Sequence, residues 1–319
     1  MPKLNPAAPA AMLLAVCAAL ACAESTAPVS SSALPTVRRV VVVSVDGLRG
    51  DALSRMPALS GLRPQAAWTD SMRTVVPSLT VPGHVSMFTG RDATRLGITT
   101  NTLDASAGLA LTINGATSMF QWTRTAGGTS AALVGTSILP ASDVEQAKAF
   151  FGIDEVVSVG LDLAVIREQA LALVNRAAPP TLTFVHIPTV DFAGHDHGWI
   201  TGDGSETLGP EYVAAATNAD AVIADLADAL RPAIESGDVA LIVTADHGGG
   251  HGEGCAVDVP AIREHCTAHP GDVTIPFVLW ARDVHPGRVA GRPTIMQVAP
   301  TVARLLKLSA PRSVPAPVL

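Results

Sequence analysis

Residues 38–47 read RRVVVVSVDG, and residues 239–250 read VALIVTADHGGG. Both are near-continuous runs of aliphatic and β-branched residues, the pattern of a strand covered on both faces. The first ends at Asp46; the second ends at Asp246 and His247. Runs of the same character recur at residues 131–137 (AALVGTS), 181–188 (TLTFVHIP) and 275–281 (IPFVLWA). Helical stretches alternate with them: SDVEQAKAFF (142–151), LDLAVIREQALALVNRAA (161–178), EYVAAATNADAVIADLADALRPAIE (211–235) and IMQVAPTVARLLKL (295–308). Parallel strands must be joined by crossovers, so this alternation predicts one α/β domain, a three-layer αβα sandwich with a mainly parallel central sheet.

In open α/β sheets, ligands bind beyond the carboxyl ends of the strands, so Asp46 and the Asp246-His247 pair should project from one edge. Each alone has a plainer reading: Asp-Gly after a strand makes a turn, and Asp-His is ordinary surface. A third stretch, DFAGHDHG (191–198), adds Asp191 and His195 four residues apart. Oxygen and nitrogen donors converging from three distant segments suit a divalent-metal centre. In PSLTVPGHVSMFTGRDATRLGITTN (77–101), Pro77 and Pro82 bracket Thr80, and a helix is expected to begin there. Thr80 reads either as a helix N-cap or as a hydroxyl activated by a metal, with helix N–H groups facing an anion.

The 319 residues are 48% hydrophobic and only 15% charged, enough apolar sequence for a substantial core. A formal net charge of -7 offers no basic surface, which argues against a nucleic-acid groove. Nothing in the chain points to a protein partner. Residues 1–23 resemble an export signal: Lys3 precedes the apolar run AAMLLAVCAALAC (10–22), and Ala19, Ala21 and Ala23 are small. Two processings fit, cleavage after Ala21 or Ala23, or lipidation of Cys22 to give an anchored lipoprotein. The expected location is therefore the bacterial periplasm or the exterior. Residues 24–36 read as a flexible linker, 37–310 as the catalytic domain and 311–319 as a tail. Cys255 and Cys266 share one irregular stretch and are read as a disulfide. Two separate thiols, or a zinc role with the nearby His251, His265 and His269, are the other readings.

Taken in order, VSVDG, PSLTVPGH, the Asn101-Thr102 pair, DFAGH, TADHG and a later histidine resemble the alkaline phosphatase superfamily, most closely its type I phosphodiesterase/nucleotide pyrophosphatase branch. The resemblance runs from Arg39 to Leu308. It implies two zinc ions. One is held by Asp46, Asp246 and His247, with Thr80 as exchangeable ligand and nucleophile. The other is held by Asp191, His195 and one more histidine. It implies that Asn101 hydrogen-bonds a phosphoryl oxygen and that a phosphothreonine intermediate forms.

The sixth ligand falls in REHCTAHPGDVTIPF (263–277), where the family's His-Gly pair is disturbed. His265 stands at the expected distance from Ile275, ahead of His269 and His251, and a Cys255–Cys266 bridge would fix the backbone that carries it. His84 reads as packing or helix-start support, and His197 as either a loop-orienting or a solvated residue. Nucleotide-cleaving relatives hold aromatic residues after the nucleophile and five residues before the second-zinc aspartate; here Val81 and His186 stand there. The implied substrate is a small phosphoester, most simply a diester. The alternatives are a phosphomonoesterase or phosphonate hydrolase, or an inactive surface or binding protein.

Overall fold

The backbone hydrogen bonds of eight strands form one sheet, ordered β4-β3-β5-β1-β6-β7-β2-β8. The computed structural model describes residue 1 and residues 34–102, 105–135, 144–255 and 258–319. The expected export signal, Cys22 and residues 24–33 of the expected linker lie outside the described residues. In chain order the elements are β1 (Arg39–Val45), α1 (Pro57–Gly61), β2 (Ala67–Arg73), α2 (Thr80–Thr89), α3 (Ala105–Ile113), α4 (Met119–Thr125), β3 (Ser130–Val134), α5 (Val144–Phe151), β4 (Glu155–Ser158) and α6 (Leu163–Val174). There follow β5 (Leu182–Ile187), α7 (Thr189–His197), α8 (Pro210–Ser236), β6 (Val239–Thr244), α9 (Pro270–Val273), β7 (Thr274–Ala281), β8 (Gly287–Arg288) and α10 (Val298–Leu305).

The sheet centre is built from the aliphatic runs. β1 pairs in parallel with β5 on one side and β6 on the other, and Val40 to Val43, Leu182 and Val239 to Val243 are buried. Helices α1, α6 and α7 pack on α8, while α2 and α4 pack on α10. These two groups flank the sheet and complete the expected three-layer sandwich. Among the described residues, no helix is long and apolar enough to cross a membrane.

One strand departs from expectation. IPFVLWA, within β7, runs antiparallel to both of its neighbours, β6 and β2. A parallel return would need a crossover helix, and among the described residues between β6 and β7 the chain forms only the four-residue α9 and a short 3-10 turn. The chain therefore stays at the carboxyl end of β6 and re-enters the sheet from there. The consequence is local: residues 245–273, with four histidines, are held at the end of the sheet where Asp46 emerges. Strands β2, β4 and β8 carry too few consecutive apolar residues to stand out in the sequence; β2 alternates and has a bulge between Thr69 and Met72.

Helix α2 is fixed from two directions. Phe88 packs edge-to-face on Phe120, Phe151 and Phe184, with ring centroids 5.1, 5.3 and 4.9 Å away. At its other end His84 donates from Nδ1 to the Thr80 carbonyl (2.8 Å) and accepts from Ser44 Oγ through Nε2 (3.0 Å), joining the helix start to β1. This is the packing and helix-start role expected of His84.

Candidate active site

The ends of β1 and β6, the first turns of α2 and α7, and the loop before β7 converge on one buried point. Asp46, Asp191, Asp246, His247, His265 and Thr80 are all buried there, and His195 closes the outer side. His247 Nε2 lies 3.2 Å from Asp46 Oδ1, 3.3 Å from Asp246 Oδ2 and 3.1 Å from Thr80 Oγ1. Beside this group, His265 Nε2 lies 3.2 Å from His195 Nε2 and 3.6 Å from Asp191 Oδ1, and His195 Nε2 is 3.5 Å from Asp191 Oδ2. Asp191 Oδ1 reaches to 3.9 Å from His247 Nε2, so the two groups adjoin.

Backbone carbonyls set the orientation of the three imidazoles. Nδ1 of His195 meets the Arg263 carbonyl (2.8 Å), that of His247 the Gly248 carbonyl (2.7 Å) and that of His265 the Ser78 carbonyl (2.5 Å). A carbonyl only accepts, so each Nδ1 carries a proton and each Nε2 points inward, as a lone pair in the neutral form of the ring. Two such lone pairs then face each other at 3.2 Å between His195 and His265. Asp191 Oδ1 and Asp246 Oδ2 are buried without a hydrogen-bond partner. Inward nitrogen lone pairs and orphaned carboxylate oxygens form a donor set with the chemistry of divalent-metal binding, and the residues present fit such an ion.

The electrostatics show the same demand for positive charge. Burial opposes charge on Asp46, yet hydrogen bonds from His186 and His247 hold its carboxyl well below the usual range. Burial, and then the Asp46 charge, push Asp191 up to about 7 and raise Asp246 well above an ordinary carboxyl. Burial would lower His247, but Asp246, Asp46 and Asp191 push it up to about 10. His265 is held well below the usual imidazole range by burial and by His247.

Thr80 is the first residue of α2 and points its hydroxyl at His247, while Leu79 occupies the cap position. Its side chain is therefore not a simple N-cap. The helix start differs from the expected open anion cradle: the Val81 N–H donates to Asn101 Oδ1 at 3.0 Å, and Pro82 has no N–H. With Oδ1 spent in this way, Asn101 keeps its Nδ2 donors beside Thr80.

Sequence comparison adds a family to this geometry. Residues 40–277 match the type I phosphodiesterase / nucleotide pyrophosphatase family, a span that contains every one of the gathered residues. The chain belongs to that family.

Among solved structures, murine ectonucleotide pyrophosphatase / phosphodiesterase 5 is 17% identical with a TM-score of 0.63, covering 85% of this chain and 96% of its own. A lipoteichoic acid synthase from Listeria monocytogenes is 14% identical with a TM-score of 0.59, covering 89% of this chain and 74% of its own. A putative sulfatase from Bacteroides thetaiotaomicron is 10% identical with a TM-score of 0.64, covering 88% of this chain and 73% of its own. At these identities the likeness is one of fold, that of the alkaline phosphatase superfamily. No curated protein sequence matches.

Several residues of this phosphodiesterase-family chain shape the site in ways not expected from the sequence. His186 is buried at the end of β5; its Nδ1 accepts the Gly135 N–H (3.2 Å), so Nε2 carries the proton and donates to Asp46 Oδ2 (2.9 Å). It therefore orients Asp46, and Val81 is likewise buried, so neither position offers an aromatic clamp. Trp199 Nε1 and Tyr212 Oη both donate to the Gly47 carbonyl, at 2.9 and 3.0 Å. Gly47 itself has φ 71°, and a Cβ there would lie 2.8 Å from Asp191 Cα, so the segments carrying Asp46 and Asp191 meet only across a glycine.

His251 and His269 do not join the centre; they stack on each other beside Glu206, with ring centroids 3.4 Å apart. His197 is exposed at the end of α7. Cys255 and Cys266 form a disulfide, with Cα atoms 6.0 Å apart, immediately beside His265.

Proposed function

We propose that this hydrolase is an exported two-zinc phosphodiesterase that works through a phosphothreonine intermediate on Thr80. One observation carries the reading. His195, His247 and His265 all turn their Nε2 atoms inward among buried carboxylates, with the Thr80 hydroxyl 3.1 Å from the His247 nitrogen. Asp46, Asp246, His247 and Thr80 would hold one zinc, and Asp191, His195 and His265 the other. Bound there, zinc would neutralise phosphoryl charge and lower the pKa of the Thr80 hydroxyl.

The chain's own groups then do the rest. Thr80 Oγ1 attacks phosphorus, the first alcohol departs, and water hydrolyses the phosphothreonine to release the phosphomonoester and restore Thr80. Asn101 Nδ2 donates to a non-bridging oxygen, because the Val81 N–H fixes the other end of its amide. An inactive threonine-to-alanine variant of murine ectonucleotide pyrophosphatase / phosphodiesterase 5, solved with AMP, supports a threonine as the reacting residue. His186 acts through Asp46. His186→Leu should weaken zinc binding about 10- to 100-fold in a competitive chelator titration, whereas unchanged affinity would reduce His186 to core packing.

The charge at the site favours a diester over a monoester. The side chains gathered there are carboxylates, imidazoles, a hydroxyl and an amide. Arg49, three residues beyond Asp46, is already paired with Asp51 and Glu206 (2.8 and 2.9 Å) and with the Gly249 carbonyl (3.2 Å). A doubly charged monoester would thus lack a cationic side chain for its extra charge. Purified enzyme should turn over bis-p-nitrophenyl phosphate faster than p-nitrophenyl phosphate; the reverse order would identify a phosphomonoesterase. The disulfide and the leader-like composition of residues 1–23 support placement in the periplasm or outside the cell.

A further inference from the structure

We propose that Glu206, His251 and His269 form a third zinc site, a structural one, which braces the loop that carries His265. The three residues come from the α7–α8 connection and from both ends of the long segment before β7, and one donor atom from each lies within 4.8 Å of the others.

The hydrogen bonding of His251 is what calls for an ion. Its side chain is only 10% exposed, and Nε2 lies 2.8 Å from Glu206 Oε1. A carboxylate only accepts, so in the neutral ring the proton sits on Nε2 and Nδ1 is bare. That bare nitrogen faces Asp272 Oδ1 at 3.5 Å, and both atoms are buried without a hydrogen-bond partner. Two acceptors confronting each other in the interior are costly. A cation taken between His251 Nε2 and Glu206 Oε1 displaces that proton. The ring then holds its proton on Nδ1 and donates it to Asp272, the carboxylate–histidine–metal arrangement that orients metal-bound imidazoles.

The remaining donors and space are present. The His269 ring lies against His251, and the lone pair of its Nδ1, now accepting the Gly271 N–H at 3.1 Å, is the one the cation would take. Two imidazoles and one carboxylate suit zinc better than magnesium or calcium, which prefer all-oxygen sets. A cavity of about 460 Å³, lined in part by Arg49, Glu206, His269 and Gly271, leaves room for water as a further ligand.

The site would brace the catalytic centre through Asp272. Its Oδ2 accepts from the Thr267 N–H (3.1 Å) and Thr267 Oγ1 (2.8 Å), two residues after His265. The Glu264 carbonyl accepts from the Gly250 and His251 N–H groups (3.0 and 3.2 Å) on the other side. A metal on His251 therefore stiffens both backbone segments flanking His265.

The test is zinc content by mass spectrometry on the full chain, loaded with zinc and desalted, against the double variant Glu206→Gln/His269→Gln. Glu206 is exposed and leaves the buried His251 in place, so the variant should fold, as its metal-free melting temperature will report. The expected result is one zinc equivalent fewer than the parent, with a smaller zinc-induced rise in Tm. Equal zinc content overturns the proposal, and so would the rival occupant, a second proton on His251. Asp191→Asn, which addresses the two-metal centre alone, keeps the two readings separable: it should lose an equivalent independently of the double variant.

Discussion

Thr80→Ala should lower diester turnover by about 10⁴-fold or more, the scale on which removing a covalent nucleophile acts, while the protein stays folded and keeps its metals. In the proposed site Thr80 would be one exchangeable donor among four at a zinc, and its side chain caps no backbone group of α2. The remaining Asp46, Asp246 and His247 are buried and held from behind, Asp46 by His186 and Asp246 by the Gly47 N–H (3.2 Å). The informative comparison is therefore turnover against zinc content and Tm measured on the same sample. Turnover within about tenfold of the parent would remove Thr80 from the chemistry and leave a directly attacking water in its place. Thr80→Ser, which retains a hydroxyl, should recover a measurable fraction of the rate.

Stripping the metals should have the second large effect. At free zinc 1,000 times the dissociation constant, each site adds about 4 kcal/mol to folding stability. Two such sites in a domain of this size correspond to a Tm loss of more than about 10 °C on chelation, with turnover falling to background and both restored by zinc. The sign of the pH effect follows from the raised groups. Without metal, Asp191 holds its proton up to about 7, Asp246 is raised well above an ordinary carboxyl and His247 stays protonated up to about 10. Zinc must displace those protons, so affinity rises with pH and falls as pH drops below about 7. Calorimetric titrations at pH 6 and 8, in buffers of different ionisation heat, read both the affinity and the protons released. Unchanged Tm and turnover after chelation would sink the two-metal reading.

The strand-end carboxylates were legible because two local signals coincide in them, an apolar run that must be buried and a polar residue at its end. Asp46 and Asp246 are placed by that logic, and Asp191 and His195 by helical spacing. His265 was found only through resemblance and its distance from Ile275; nothing in its own neighbours distinguishes it from His269. His186, Trp199, Tyr212 and Asp272 were not legible as site residues, since each acts on a partner chosen by the fold. Tyr212 and Gly47, for instance, are 165 residues apart in sequence. Direction was the other blind spot. The apolar run of β7 looks like a parallel strand, and its reversal depends on the absence of a long helix before it. The start of α2 shows the same limit: a proline and an amide at residues 82 and 101 decide which donors are left, and only the folded contact reveals that.

The reversal of β7 also bears on how such a chain can change over time. Because residues 245–273 leave and re-enter the sheet at the same end, their length can vary without altering strand order, and doubling a loop costs only about 0.6 kcal/mol in closure entropy. The stretch between His251 and Glu264 can thus be lengthened or exchanged while Asp46, just beyond β1, and Asp246 and His247, just beyond β6, stay put. The architecture separates what must be kept from what is free to diverge.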